Sequence, residues 1–201
     1  MRLMKIVFAS SNKGKLKEAK SLLGNFGVEL LSQSELGILP CDEPHITFVE
    51  NSLEKARHAA KLSGLPALAE DSGICVPELD GRPGVKSARY SGDQATDEGN
   101  VNLLLRSMAA ISNRSAFYHC SLALMRHSTD PSPLISEGRW HGQVLYEPRG
   151  DGGFGYDPIF FDPQMNLSGA EMTLEQKNTV IIFRSIKYFL FSLMSRNRAS
   201  K

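Results

Sequence analysis

Two adjacent carboxylates interrupt an apolar run in the stretch Pro66-Ala-Leu-Ala-Glu70-Asp71-Ser72-Gly73-Ile-Cys-Val76. Ionised acids inside an apolar strand are costly unless something pairs with them. Side chains alternate along a strand, so one of Glu70 and Asp71 can face a cleft holding a divalent metal or a water while the other faces away. The competing reading is an Asp-Ser-Gly turn between two strands, a common use of these residues. A second string, Ser10-Ser11-Asn12-Lys13-Gly14-Lys15, follows a short apolar run. Strand, small polar turn and helix together aim free backbone N–H groups and a positive dipole end at an anion. Ser10, Ser11 and Asn12 suit a helix cap, and Lys13 and Lys15 add charge within reach of a polyphosphate. The same string also reads as a well-capped helix with solvated lysines. It is not a Walker A loop, because Gly14-Lys15 is followed by Leu16 and lacks the earlier glycine.

Two further strings carry chemistry. Pro40-Cys-Asp42-Glu43-Pro44-His45 is an acidic knuckle between prolines, whose acid either favours the dipole of the next helix or supplies a second metal-binding carboxylate. Arg149-Gly-Asp-Gly152-Gly153-Phe154-Gly155-Tyr156-Asp157-Pro158 sets glycines around one aromatic. That arrangement lets a flat ring approach Phe154, while Asp157 can accept hydrogen bonds from a base edge. A glycine-rich hairpin is the plainer alternative.

The elements that must position these residues follow from periodicity. Lys5 to Ala9 reads as a buried strand, and Leu16, Ala19, Leu22 and Leu23 share one helical face. A strand is expected at Val28 to Leu31. Thr47-Phe-Val-Glu50 makes a capping box for a helix presenting Val49, Leu53, Ala56 and Ala60. Asp80 to Gly84 is a loop, and Arg89 beyond it either contacts phosphate or forms an ion pair. Thr96 caps a helix with Val101, Leu104, Leu105 and Met108 as core. Strands are expected at Ala116 to Met125, Leu134 to Val144 and Ile159 to Phe161, and a helix at Glu171 to Asn178. His119 reads as a structural histidine. From Val180 an apolar helical pattern suits packing or oligomer contacts, and it is too short for a membrane span.

Composition sets the bounds. The chain has 201 residues, 41% hydrophobic and 22% charged, with a net charge of +1. These values suit one large domain or a core with a small lobe, and they argue against broad nucleic-acid or membrane electrostatics. Cys41, Cys75 and Cys120 are widely spaced and form no CxxC pair, which predicts reduced thiols in a cytoplasmic protein. The N-terminal apolar run is too short for a signal peptide.

Taken together, these strings resemble the inosine triphosphate pyrophosphatase family, enzymes acting on non-standard purine nucleoside triphosphates. The resemblance is carried by Ser10 to Lys15, Glu43, Thr47 to Ala56, Ala69 to Gly73, Pro83 to Gly92, Gly152 to Pro158 and Lys177. It implies a single α/β domain over residues 1–201 with a long mixed central β-sheet flanked by helices, two lobes with a cleft between them, no nucleic-acid or membrane partner, and a homodimer. The implied substrates are ITP, dITP and XTP, cleaved to the monophosphate and pyrophosphate with Mg2+. By the same resemblance Ser10, Ser11, Asn12, Lys13, Gly14 and Lys15 hold the triphosphate, Lys15 also serving catalysis. Glu43 and Asp71 hold Mg2+, and Asp71 matches the proton acceptor. Ser72 contacts substrate, and Phe154, Gly155, Tyr156, Asp157 and Lys177 bind the base and its surroundings. Such chemistry depends on positioning and charge neutralisation rather than a covalent nucleophile.

The chain departs from the family at one place. The family carries Ser-His-Arg shortly after its equivalent of Lys177, a string that reads the purine 6-oxo group. Here, counted without gaps, Ile181-Ile182-Phe183 stands there, with Arg184 one position late and no histidine after His141. Either Arg184 takes over the contact through a helix irregularity, or base discrimination is weakened. A shifted reading frame or an altered C-terminus gives the same pattern. The alternative in another class is a non-catalytic nucleotide-binding module of the same fold.

Overall fold

The computed structural model describes residues 4–10, 12–23 and 27–180. The described elements are β1 (Met4–Ala9), α1 (Lys13–Leu23), β2 (Val28–Ser32), α2 (Phe48–Ser63), β3 (Ala67–Cys75), α3 (Asp97–Ser107), β4 (Ser115–Met125), β5 (Leu134–Val144), β6 (Phe160–Asp162), β7 (Leu167–Ser168) and α4 (Leu174–Val180), with short 3-10 turns between some of them. The seven strands form one mixed sheet in the order β2-β1-β3-β4-β5-β6-β7. β1 runs parallel to β2 and β3, and β6 runs antiparallel to β5 and β7. The expected α/β class with a mixed central sheet and flanking helices is what the chain forms.

Two compact units make up the chain. One comprises the described residues up to Asp71 together with Ser121–Glu137; the other comprises Ser72–Cys120 and the described part of Gly138–Arg184. In the first, Val7, Ala9, Ala67, Ala69, Ala123 and Met125 pack against Ala56, Ala59 and Ala60 of α2. Small residues on α2 let the helix lie close to the strands. Both ends of α2 are explicit in the residues: the Thr47 side chain accepts from the Glu50 N–H, and Gly64 closes the helix in the left-handed region at φ +66°. β1 meets β3 in the register Val7↔Ala67, Phe8↔Leu68, Ala9↔Ala69. The turn after β1 therefore begins beside Ala69, next to the acid pair that β3 carries onward.

The second unit has its own core of Ile74, Leu104, Met108, Trp140, Tyr156, Ile159 and Phe160. Trp140 packs edge-on against Phe160 with ring centroids 4.5 Å apart, and its indole N–H donates to buried Asp162 at 2.7 Å. Asp162 accepts further bonds from the Gln164 and Met165 N–H groups, so this buried acid is satisfied. Arg114, 8% exposed, donates to three backbone carbonyls, those of Met108, Val144 and Leu145, at 2.7–2.9 Å. Thr96 caps α3 by accepting from the Gly99 N–H at 3.0 Å.

The structure closes one alternative left open by the sequence and corrects two expectations. The turn reading of Asp71-Ser72-Gly73 fails: β3 runs unbroken from Ala67 to Cys75, because the acids find lysine partners and need no turn to reach water. The last described helix begins at Leu174 rather than Glu171, since Thr173 and Gln176 form a reciprocal capping box: the Thr173 N–H donates to Gln176 Oε1 and the Gln176 N–H to Thr173 Oγ1. Ile159 closes a 3-10 turn, leaving β6 to start at Phe160. The apolar stretch from Ile181 onward lies outside the described residues. Cys41, Cys75 and Cys120 form no disulfide, and burial pushes the Cys75 thiol up to about 11.

Candidate active site

In the first unit the acids and lysines named by the sequence converge. Asn12 caps α1, its Oδ1 accepting from the Lys15 N–H at 3.1 Å, and the Asn12 N–H donates to Ser10 Oγ at 3.2 Å. These side chains organise the turn, and Lys15 projects from the first turn of the helix they cap. Its ammonium lies 3.0 Å from Glu70, whose side chain is 5% exposed. Gly14 sits in the same exposed first turn, and Lys13 heads α1. Ser11 lies outside the described residues.

The adjacent acid points to a different cation. Asp71 Oδ1 and Glu43 Oε1 each lie 2.7 Å from the Lys55 ammonium, which also donates to the Glu70 carbonyl at 3.1 Å. Alternation along β3 thus sends Glu70 to Lys15 and Asp71 to Lys55. Burial pushes the Asp71 carboxyl above its ordinary range; Lys55 opposes that shift and Glu43 adds to it. Asn51, fully buried on α2, places its amide nitrogen 3.4 Å from Asp71 Oδ2. Three carboxylates and two ammonium groups are therefore interleaved in one small volume.

Lys55 and Asn51 were not singled out from sequence, although both lie inside the string Thr47 to Ala56. Their signal was legible: Asn51 and Lys55 are four residues apart, hence on one stripe of α2 beside its alanine face. No group of three or more His, Cys, Asp or Glu side chains suited to a metal occurs among the described residues. Glu43 and Asp71 do offer hard oxygen donors facing a shared cation, now the Lys55 ammonium. Two carboxylates completed by water and substrate phosphate are a set that Mg2+ accepts.

In the second unit the glycine-rich string closes around Asp157, which is 6% exposed. Asp157 Oδ2 accepts from the Phe154 N–H at 2.9 Å and from Lys177 at 2.6 Å. That oxygen, assigned above to a base edge, is thus already the hub of its own loop. A Cβ on Gly153 (φ +78°) would stand 2.2 Å from the same oxygen and 2.7 Å from Lys177 Nζ, so the close wrapping requires glycine there. Phe154 remains 45% exposed, a flat apolar face open to a ring. Tyr156 instead belongs to the core at 3% exposure, and its hydroxyl donates to the Ser87 carbonyl at 2.9 Å. Gly155 N–H donates to Asp97 at 2.8 Å, a further contact absent from the sequence reading. Its partner lies in the first turn of α3, a long way off in sequence, and no local spacing signals it. Ser72 is half-buried on β3, and Arg184 lies outside the described residues.

Known proteins resemble this chain along nearly its whole length. Residues 6–184 match the model of the Ham1 family. A dITP/XTP pyrophosphatase of Nitrosomonas europaea is 52% identical over 176 residues, covering 88% of this chain and 87% of that protein. A dITP/XTP pyrophosphatase of Escherichia coli O157:H7 is 48% identical over 180 residues, covering 89% and 91%. Among solved structures, a HAM1 protein from Coxiella burnetii matches with a TM-score of 0.89 at 42% identity, covering 96% of this chain and 99% of that one. The Staphylococcus aureus Ham1 protein matches with a TM-score of 0.84 at 30% identity, with the same coverage.

Proposed function

The chain belongs to the Ham1 family, and we propose on that footing that it is a nucleoside triphosphate pyrophosphatase, hydrolysing dITP, ITP and XTP to the monophosphate and pyrophosphate. What carries the reading is the Glu43–Lys55–Asp71 cluster beside Lys15, in a chain about half identical to relatives of that name. Glu43 and Asp71 would hold Mg2+, which when bound neutralises phosphate charge. Lys15, in the first turn of α1, meets the triphosphate together with Ser10, Asn12 and the N–H groups of the helix start. Asp71, its carboxyl raised by burial, orients a water and takes its proton as the oxygen attacks the α-phosphorus. The bond to the bridging oxygen breaks and pyrophosphate leaves. Phe154 offers a stacking face to the base, and the Asp157–Lys177 pair keeps the loop beneath it in shape.

We also read the protein as a cytoplasmic homodimer; no helix among the described residues is long and apolar enough to cross a membrane. The function is tested by pyrophosphate release from ITP, dITP, XTP, GTP and ATP with Mg2+, comparing wild type with Asp71→Asn. Turnover of the first three that collapses in the variant supports the assignment. Equal turnover of all five places a working hydrolytic site beside lost base selection. Binding of ITP without pyrophosphate release favours the non-catalytic module instead.

A further inference from the structure

The segment from Leu39 to Ile46 carries Glu43 between Pro40 and Pro44, neither of which can donate a backbone hydrogen bond. It forms no helix or strand, yet it delivers the Glu43 carboxylate to 2.7 Å from Lys55. Three of its anchors come from one side of α2. Asn51, 0% exposed, copies a backbone pairing with His45: Oδ1 accepts from the His45 N–H at 3.1 Å, and Nδ2 donates to the His45 carbonyl at 3.2 Å. Reversing the amide would set donor against donor, so this pairing fixes its orientation. The same Nδ2 is the group 3.4 Å from Asp71 Oδ2. Two turns further along α2, His58 Nε2 donates to the Leu39 carbonyl at 2.9 Å. Positions 51, 55 and 58 follow helical spacing, so Asn51, Lys55 and His58 form one stripe, with both ends of the acidic segment tied down and its carboxylate gripped between them.

We propose that Asn51 is the positioning residue that sets Glu43 against Asp71, with His58 fixing the far end of the segment. The role rests on reading Glu43 and Asp71 as the metal- and phosphate-facing pair. Asn51 meets no substrate atom in this account; it acts through other groups, ordering the backbone that carries Glu43 and donating to the Asp71 carboxylate.

The test uses the full chain and two readouts. Amide hydrogen exchange of residues 39–46, without metal or nucleotide, reports the order of the segment. A Mg2+ titration of pyrophosphate release from XTP reports the site. Asn51→Ala is expected to speed exchange in 39–46 while leaving β4 unchanged. It is expected to raise the Mg2+ concentration for half-maximal rate about tenfold, the scale on which supporting partners of ligands act. The rate at saturating Mg2+ should stay within about threefold of wild type, because the lost interaction is one of placement. Asn51→Ser loses the paired bonds to His45 and adds no charge beside Asp71, while keeping a small polar group in the space. It should give intermediate exchange, and it carries the test if the alanine variant does not fold. His58→Ala should loosen the Leu39 end alone. Wild-type exchange in 39–46 in both Asn51 variants overturns the proposal, as does a loosened segment with an unaltered Mg2+ dependence. If wild type releases no pyrophosphate from any triphosphate, the functional reading fails, and the exchange result still decides whether Asn51 holds the segment.

Discussion

Gly73 follows Asp71 and Ser72 on β3, and a single methyl there has nowhere to go. A Cβ at Gly73 would stand 2.3 Å from the Gly84 carbonyl oxygen, 2.3 Å from Ser87 Oγ and 3.0 Å from Ser87 Cβ. Ordinary contact begins near 3.4 Å, so each oxygen must recede by about 1 Å (3.4 − 2.3). Neither moves freely. Gly84 is in the left-handed region at φ +58°. Ser87 is 8% exposed and tied by two bonds, donating to the Gly84 carbonyl at 2.6 Å and accepting from the Ile74 N–H at 3.0 Å. Overpacking of this kind costs about 1–3 kcal/mol. Displacing Ser87 orphans a buried N–H at roughly another 1–3 kcal/mol, and the entropy that alanine removes from the unfolded chain returns less than about 1 kcal/mol. Gly73→Ala should therefore destabilise by about 4 kcal/mol, a large share of the roughly 5–15 kcal/mol a domain possesses. For a chain of this length that is a fall in Tm of roughly 8–16 °C. Calorimetry with a urea midpoint measures it, and in a double-mutant cycle with Ser87→Gly the alanine should cost less than it does alone. A Tm within about 2 °C of wild type would falsify the steric reasoning.

Three further outcomes follow from the geometry. Because burial raises the Asp71 carboxyl, the native state holds its proton to a higher pH than the unfolded chain, so the group's contribution to stability falls as pH rises through that window. Metal-free Asp71→Asn at pH 7 should then melt no lower than wild type, and a lower Tm for the variant contradicts this. Asp130 has the opposite sign: the Arg126 guanidinium holds its carboxyl well below the usual range, so the stability it contributes is present above that range and lost as pH falls through the lowered value. Asp130→Asn should lower Tm at neutral pH, with the gap closing in acid, and equal melting at pH 7 would sink the idea. Asp97→Ala removes the acceptor of the Gly155 N–H, worth about 0.5–1.5 kcal/mol, so KM for nucleotide should rise roughly 2–12-fold at nearly unchanged kcat; a loss confined to kcat argues against a role in loop placement.

Much of this architecture was legible in the chain because its signals are local. Alternation and apolar runs placed β1, β4 and β5; Thr47 and Thr96 announced α2 and α3 through their caps. The chemistry-bearing strings led to Lys15, Glu43, Asp71 and the glycine-rich loop for the same reason. What was not legible depends on partners distant in sequence. Glu70 and Asp71 looked like a turn because nothing nearby could neutralise them, whereas Lys15 and Lys55 come from two separate helices. Tyr156 sits in a string that suggests ligand binding, yet its ring belongs to the buried core of the second unit, and its hydroxyl meets the Ser87 carbonyl. Gln176 was read as an interior helical residue, though with Thr173 it marks the start of α4.

Arg114 joins the end of α3, the end of β5 and the residue after it through three carbonyls, while its own carbonyl accepts from the Val144 N–H at 2.8 Å. No one of these segments can fray without withdrawing a partner from the guanidinium and leaving charge-bearing donors unmet. Their openings are therefore coupled, and this corner of the second unit behaves as one cooperative block. Lysine would keep the charge and lose the planar fork that spans the three acceptors. Fraying that the wild type suppresses would then begin at the Met108 and Leu145 ends, well before the strands beneath them part.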